Sequence, residues 1–195
     1  MKVFCAALVA IVAVALAGCL PVTTKTPVGT TVGLAADPAL YGSWKGHSPE
    51  DKKARDGYFH FMAAKDGSLT IAVVMADGSG DDGWTVFNAH TAALGTNRYL
   101  NAVMTFDKDK PIQGALKGAT FPVLYVVKGK TLTLYLIDED KAKAAITAGK
   151  ITGTIEPGTA GDVTITTEAK DLDAFMAKPE AKDLFKLLIV LKKVD

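Results

Sequence analysis

GYFHFMAAKDGSLTIAVVMA, residues 57–76, carries the pattern that decides the fold. Tyr58, His60 and Met62 alternate with Phe59, Phe61 and Ala63, the period of two that a half-buried strand requires. Lys65-Asp66-Gly67-Ser68 interrupts the alternation, and Asp-Gly suits the positive φ of a tight hairpin turn. Leu69 to Ala76, rich in Val and Ile, returns as the partner strand.

The same grammar continues downstream. Trp84 to Leu94 sets Trp84, Val86, Asn88 and His90 against Thr85, Phe87 and Ala89; Gly95-Thr96-Asn97 turns the chain into a strand from Arg98 to Phe106. After a polar loop from Asp107 to about Gly118, Phe121–Val127 and Thr131–Ile137 form a second hairpin around Lys128-Gly129-Lys130. Short strands joined by tight turns imply an antiparallel barrel or sandwich. Closing the sheet removes exposed edges.

The C-terminal half adds helical signals. Asp138 precedes a run to Ala148 with acids at its start and Gly149 after its end, as the helix dipole and C-cap favour. Ile151–Ile155 and Asp162–Thr167 read as strands joined through Pro157-Gly158. Thr167 is the expected N-cap of a second helix, with Leu172, Phe175 and Met176 on one face and Pro179 at its end. Leu187–Leu191 is continuously apolar and fits a helix or a strand; assigned as a strand, Leu187–Val194 closes a barrel beside the first strand. The expected fold is mainly β: an antiparallel barrel over residues 39–195, with one or two short helices in its C-terminal half.

The N-terminus reads differently. Met1-Lys2 is followed by an apolar run to Leu16, then Ala17, Gly18 and Cys19. A charged start, an apolar core and a small-residue exit make a secretory signal, and the run falls short of the ~20 apolar residues of a comfortable membrane span. Leu16-Ala17-Gly18-Cys19 resembles a bacterial lipobox. The resemblance implies cleavage before Cys19, diacylglycerol on its sulfur and an acyl chain on its nitrogen, which together anchor durably where one chain binds reversibly. Leu20, rather than Asp, after the cysteine implies by the same resemblance the outer membrane, facing the periplasm. Residues 1–18 are then the signal peptide. Residues 19–38, dominated by Thr, Pro and Gly, read as a lipidated flexible tether.

Leu40-Tyr41-Gly42-Ser43-Trp44 opens the β domain. Its Gly42-x-Trp44 is similar to the motif that begins the first strand of lipocalins and the wider calycin group. That resemblance implies an antiparallel β-barrel with Trp44 packed across one end, beneath a basic side chain of the last strand. Lys192 and Lys193 stand where Arg is usual; lysine can lie over an indole face but lacks the planar fork.

Composition excludes several functions. Of 22 basic and 21 acidic residues, Lys2 alone would leave with the signal, so the mature chain is near neutral. Without a basic cluster it does not read as a nucleic-acid binder. Cys5 leaves with the signal, so the domain carries no disulfide. His47, His60 and His90 show no spacing that demands a metal. Asp77-Gly78-Ser79-Gly80-Asp81-Asp82 resembles part of a calcium loop, but Asn88 stands where the bidentate Glu belongs. No Gly-x-Ser-x-Gly elbow or phosphate loop is present. The expectation is therefore a non-enzymatic binding module without cofactor or metal, taking a small apolar or amphipathic ligand. Tyr58, Met62, Trp84, Phe87, Tyr99, Tyr125 and Tyr135 are the candidate lining residues, since small barrels either fill their interior or enclose one ligand. The alternative is a structural or protein-interaction lipoprotein of the envelope with no small ligand.

Overall fold

The computed structural model describes residues 22–29, 35–47, 49, 56–75, 83–108, 110–156 and 163–194. Cys5, the Leu16–Cys19 stretch, the calcium-like Asp77–Asp82 loop and the Pro157-Gly158 turn lie outside these residues.

The strands, in chain order, are β1 (Thr23–Thr24), β2 (Gly42–His47), β3 (Gly57–Ala63), β4 (Leu69–Met75), β5 (Gly83–Leu94), β6 (Asn97–Asp107), β7 (Lys110–Pro111), β8 (Thr120–Lys128), β9 (Thr131–Ile137), β10 (Gly153–Ile155), β11 (Val163–Ile165) and β12 (Phe185–Lys193). Eight of them, β2 to β6 with β8, β9 and β12, each pair antiparallel with the next. β6 pairs with β8, and β12 returns to β2 with Lys193 opposite Trp44, so the sheet closes into a barrel. The alternative of an open sandwich is thereby resolved. Leu187–Leu191, ambiguous by periodicity, is strand because its partners are already in place: Leu191 faces Leu132 of β9 and Gly46 of β2. Gly46 serves that closure, since a Cβ there would collide with the Val190 carbonyl oxygen.

The barrel interior forms one core, containing Leu40, Trp44, Phe61, Leu69, Ile71, Leu100, Phe121, Leu132, Leu134, Ile189 and Leu191. A second core lies outside it. Helices α1 (Glu139–Thr147) and α2 (Ala169–Met176), with β1, β10 and β11, cover the outward residues Tyr99, Leu124, Ile137 and Phe185. Asp138 caps α1 as expected, accepting from the Lys141 amide at 3.1 Å. Thr167 does not cap α2. Its hydroxyl accepts from the Thr152 amide at 2.8 Å, fastening β10 to β11, and Glu168 takes the cap position with no side-chain bond.

The tether expectation needs correction. Residues 22–29 and 35–38 belong to the fold. β1 pairs parallel with β11 and antiparallel with β8 through Thr24 and Thr120. Val22 and Val28 are buried in the outer core. Asn101, pointing outward from β6, accepts from the Val28 amide at 2.7 Å and donates to its carbonyl at 2.8 Å. Ala36 joins the barrel core, and the Thr91 hydroxyl donates to the Ala35 carbonyl. The Pro and Gly that read as spacer shape a segment whose few apolar residues find partners far along the chain.

Candidate functional site

The barrel has two unlike ends. One is formed by the turns after β3, β5 and β8, the start of β2 and the end of β12. Here Gly42 takes φ +106°, a region that favours glycine, and admits the chain from the 3-10 turn Pro38–Leu40 into β2. Trp44 follows at 0 % exposure, its indole N–H donating to the Leu40 carbonyl at 2.7 Å. The Lys193 ammonium, from the end of β12, lies 5.1 Å from the Trp44 ring centroid. Leu40, Leu69, Leu132 and Leu191 are fully buried around it. The Tyr125 hydroxyl donates to Asp37 at 2.8 Å, tying the entering chain to β8. This end is sealed.

The other end is not. The barrel-facing residues Phe59 and Phe87, early in β3 and β5, Val73, Met104 and Leu136, late in β4, β6 and β9, and Leu188, early in β12, are only partly buried. Leu116 and Ala119 of the β7–β8 connection pack against the same core. Among the described residues, the partly buried apolar side chains against this core thus concentrate at the mouth, with Tyr41 and Val127 alone at the sealed end. The mouth end is a half-buried apolar rim over a packed core.

The residues expected to line a pocket are divided among three environments. Phe87 and Tyr125 face the barrel core, Phe87 at the mouth and Tyr125 towards the floor. Tyr99 and Tyr135 point outward into the second core. Tyr58, Met62 and Trp84 point outward to solvent, at 43 %, 48 % and 40 % exposure. Alternation sorts residues into two faces but does not say which face is inside. Phe59 and Phe61, opposite Tyr58 and Met62, are the inward set. The greater apolarity of that face was the available signal for the mouth residues Phe59, Val73, Met104, Leu136 and Leu188, which sequence reasoning missed.

Tyr58, Val74 and Trp84 are cross-strand neighbours on β3, β4 and β5. With Phe106 they make an exposed apolar patch on the barrel's outer wall. Two cavities of about 300 Å³ each also lie outside the barrel. One is bounded by Asn97, Arg98, Tyr135, Lys182 and Phe185. The other is bounded by Lys45, His47, Asp56 and Lys192, with His47 Nδ1 and Asp56 bonded at 2.8 Å.

Polar groups of unusual character are few. Burial pushes the Tyr99 phenol up; its hydroxyl donates to the Met176 carbonyl at 3.0 Å. Burial pushes the Tyr125 phenol up further, helped by its bond to the Asp37 carboxylate and by that charge. Asp66 is held below the usual carboxylate range by bonds from the Ser68 hydroxyl and amide in the β3–β4 turn. His60 bonds Ser43 at 2.8 Å on the outer wall. It stands two strands from His90, so the two do not face each other. Among the described residues, no three His, Cys, Asp or Glu side chains gather where a metal could be held, and no helix is long and apolar enough to cross a membrane. No family model, curated protein or solved structure matches the chain.

Proposed function

We propose that this chain is an outer-membrane lipoprotein, anchored through Cys19 and facing the periplasm, whose barrel takes a small apolar or amphipathic molecule at its open mouth. The observation that carries the ligand reading is the gradient of burial along the barrel: a sealed floor around Trp44, and a half-buried apolar rim of Phe59, Val73, Phe87, Met104, Leu136 and Leu188. Half-buried apolar surface at the rim favours a ligand that covers it, at about 25 cal/mol per Å². Support for the anchor is the Leu16-Ala17-Gly18-Cys19 sequence. Lys193 over Trp44 adds to the lipocalin-like resemblance.

Native mass spectrometry of protein purified from bacterial membranes tests the ligand. The expected result is a mass excess that disappears on denaturation. Val73→Asp with Met104→Asp, which places charge in the rim while leaving the floor intact, abolishes it. An adduct that survives this pair of substitutions places the ligand elsewhere.

A second reading, a protein-interaction lipoprotein, is favoured by the exposed Tyr58, Val74, Trp84 and Phe106 patch, because aromatic residues of this kind anchor protein interfaces. A stoichiometric partner on crosslinking, lost on Trp84→Ala and Phe106→Ala, with no mass excess, selects it.

A further inference from the structure

We infer that the sealed end of the barrel is its membrane-facing end, a cationic surface that rests on anionic phospholipid and turns the open mouth away from the bilayer. The inference rests on the proposed anchor at Cys19 and adds to it an orientation and a lipid class.

The first observation is the length of the leash. Val22 is buried and sits beside β1. Only Leu20 and Pro21 separate it from Cys19, so the anchored residue lies within about 11 Å of the folded body. A lipid there brings the protein against the bilayer.

The second observation is direction. β8 runs from the mouth to the sealed end, ending in the turn that starts β9. β1 is antiparallel to it. Followed backward from Thr24 to Val22, the chain therefore runs in the direction of the sealed end. Val22 lies about 20 Å along the strand from Lys128, about 15 Å along the axis once strand tilt is included. The leash spans most of that, and the lipid headgroup layer the remainder.

The third observation is charge. The turns and strand ends at the sealed end carry Lys65, Arg98, Lys128, Lys130, Lys192 and Lys193, against Asp37 and Asp66 among the described residues. Lys65, Arg98, Lys128, Lys130 and Lys192 are exposed. Asp37 is occupied by Tyr125, and Asp66 by Ser68. Among the described residues, the turns and strand ends here thus hold six basic side chains against two acidic ones. Lysines and arginines beside a bilayer favour anionic lipid, and one lipid anchor with a basic surface is a recognised two-part attachment.

The test uses the full chain, expressed in a bacterium, extracted in detergent and reconstituted into vesicles of phosphatidylcholine with or without phosphatidylglycerol. With Cys19 acylated and Cys5 removed, an added cysteine is the sole thiol. Thr96→Cys, in the β5–β6 turn, reports the sealed end, and Gln113→Cys, after β7, reports the mouth; each carries a fluorophore read against a headgroup quencher. The expected result is quenching at Thr96→Cys and not at Gln113→Cys in phosphatidylglycerol vesicles. Added salt, or Lys65→Gln with Lys128→Gln and Lys192→Gln, should bring it down to the Gln113→Cys level. Quenching at the mouth, or equal quenching at both ends, overturns the orientation. Sealed-end quenching indifferent to phosphatidylglycerol and salt overturns the cationic contact. Intact mass is measured first: an unacylated Cys19 refutes the anchor, and salt-sensitive binding of that chain to phosphatidylglycerol vesicles would then still support the cationic surface, while its absence would end the proposal.

Discussion

Trp44 shows how a single residue's identity was legible while its energetic partner was not. Its place after Gly42 marked it as a plug, but the sequence left two lysines as candidates to cover it. The structure assigns Lys193, which faces Trp44 across the β2–β12 ladder. The two contacts of the indole differ in weight. Trp44→Phe removes the donor to the buried Leu40 carbonyl and leaves a small void, a loss of about 1–3 kcal/mol. Lys193→Gln removes only a partly solvated cation–π contact, about 0.5–1 kcal/mol. Urea denaturation of the two variants should rank them in that order, and a larger effect of Lys193→Gln would mean that the cation, not the indole bond, holds the floor. The tyrosines give a pH prediction. Tyr99 and Tyr125 both ionise above their unfolded value of about 10. The folded state therefore binds these protons more tightly than the unfolded chain. Their stabilisation is complete below about pH 10 and is lost as pH rises beyond it. Absorbance at 295 nm should show two of the five tyrosines ionising only together with the loss of tertiary structure.

At the scale of elements, the hairpins were readable because each is local: alternation, turn and alternation lie within about twenty residues. The β1 segment was not, because its partners Thr120, Thr164 and Asn101 stand about a hundred residues or more ahead, apart from Asn101 at 73. A run of Thr, Pro and Gly carries no period that could announce such pairing. The pocket residues failed for a related reason. Alternation yields two faces without saying which is inside, so Tyr58 and Met62 were read as lining where their neighbours Phe59 and Phe61 are the inward residues. Asn101 is the element-scale device that replaces periodicity, since one amide satisfies both backbone groups of Val28. Asn101→Ala leaves a buried N–H and C=O unpaired, at a cost of about 2–4 kcal/mol. The expected signature is local as well as global. Trypsin should cut after Lys25 in the variant under conditions where the parent chain is resistant, and an unchanged cleavage pattern would show that β1 is held by its strand pairing alone.

At the scale of the molecule, the two cores stand back to back on the same strands. β6 sends Leu100 inward and Tyr99 outward, β8 sends Val123 inward and Leu124 outward, and β9 sends Leu134 inward and Ile137 outward. Neither core can lose its side of these strands without disturbing the backbone that presents the other. The outer layer is therefore a structural buttress of the barrel rather than an appendage. Leu172, fully buried in the outer core on α2, tests the coupling. Leu172→Ala should cost about 2–5 kcal/mol. In a Trp84→Phe background, where exposed Trp84 no longer contributes, Trp44 fluorescence reports the barrel floor alone. If the cores unfold as one unit, Leu172→Ala moves the Trp44 transition and the far-ultraviolet circular dichroism transition together to lower denaturant. A Trp44 transition that stays in place while circular dichroism splits into two steps would show a barrel that stands without its buttress, and the shared strands would then transmit no stability from one face to the other.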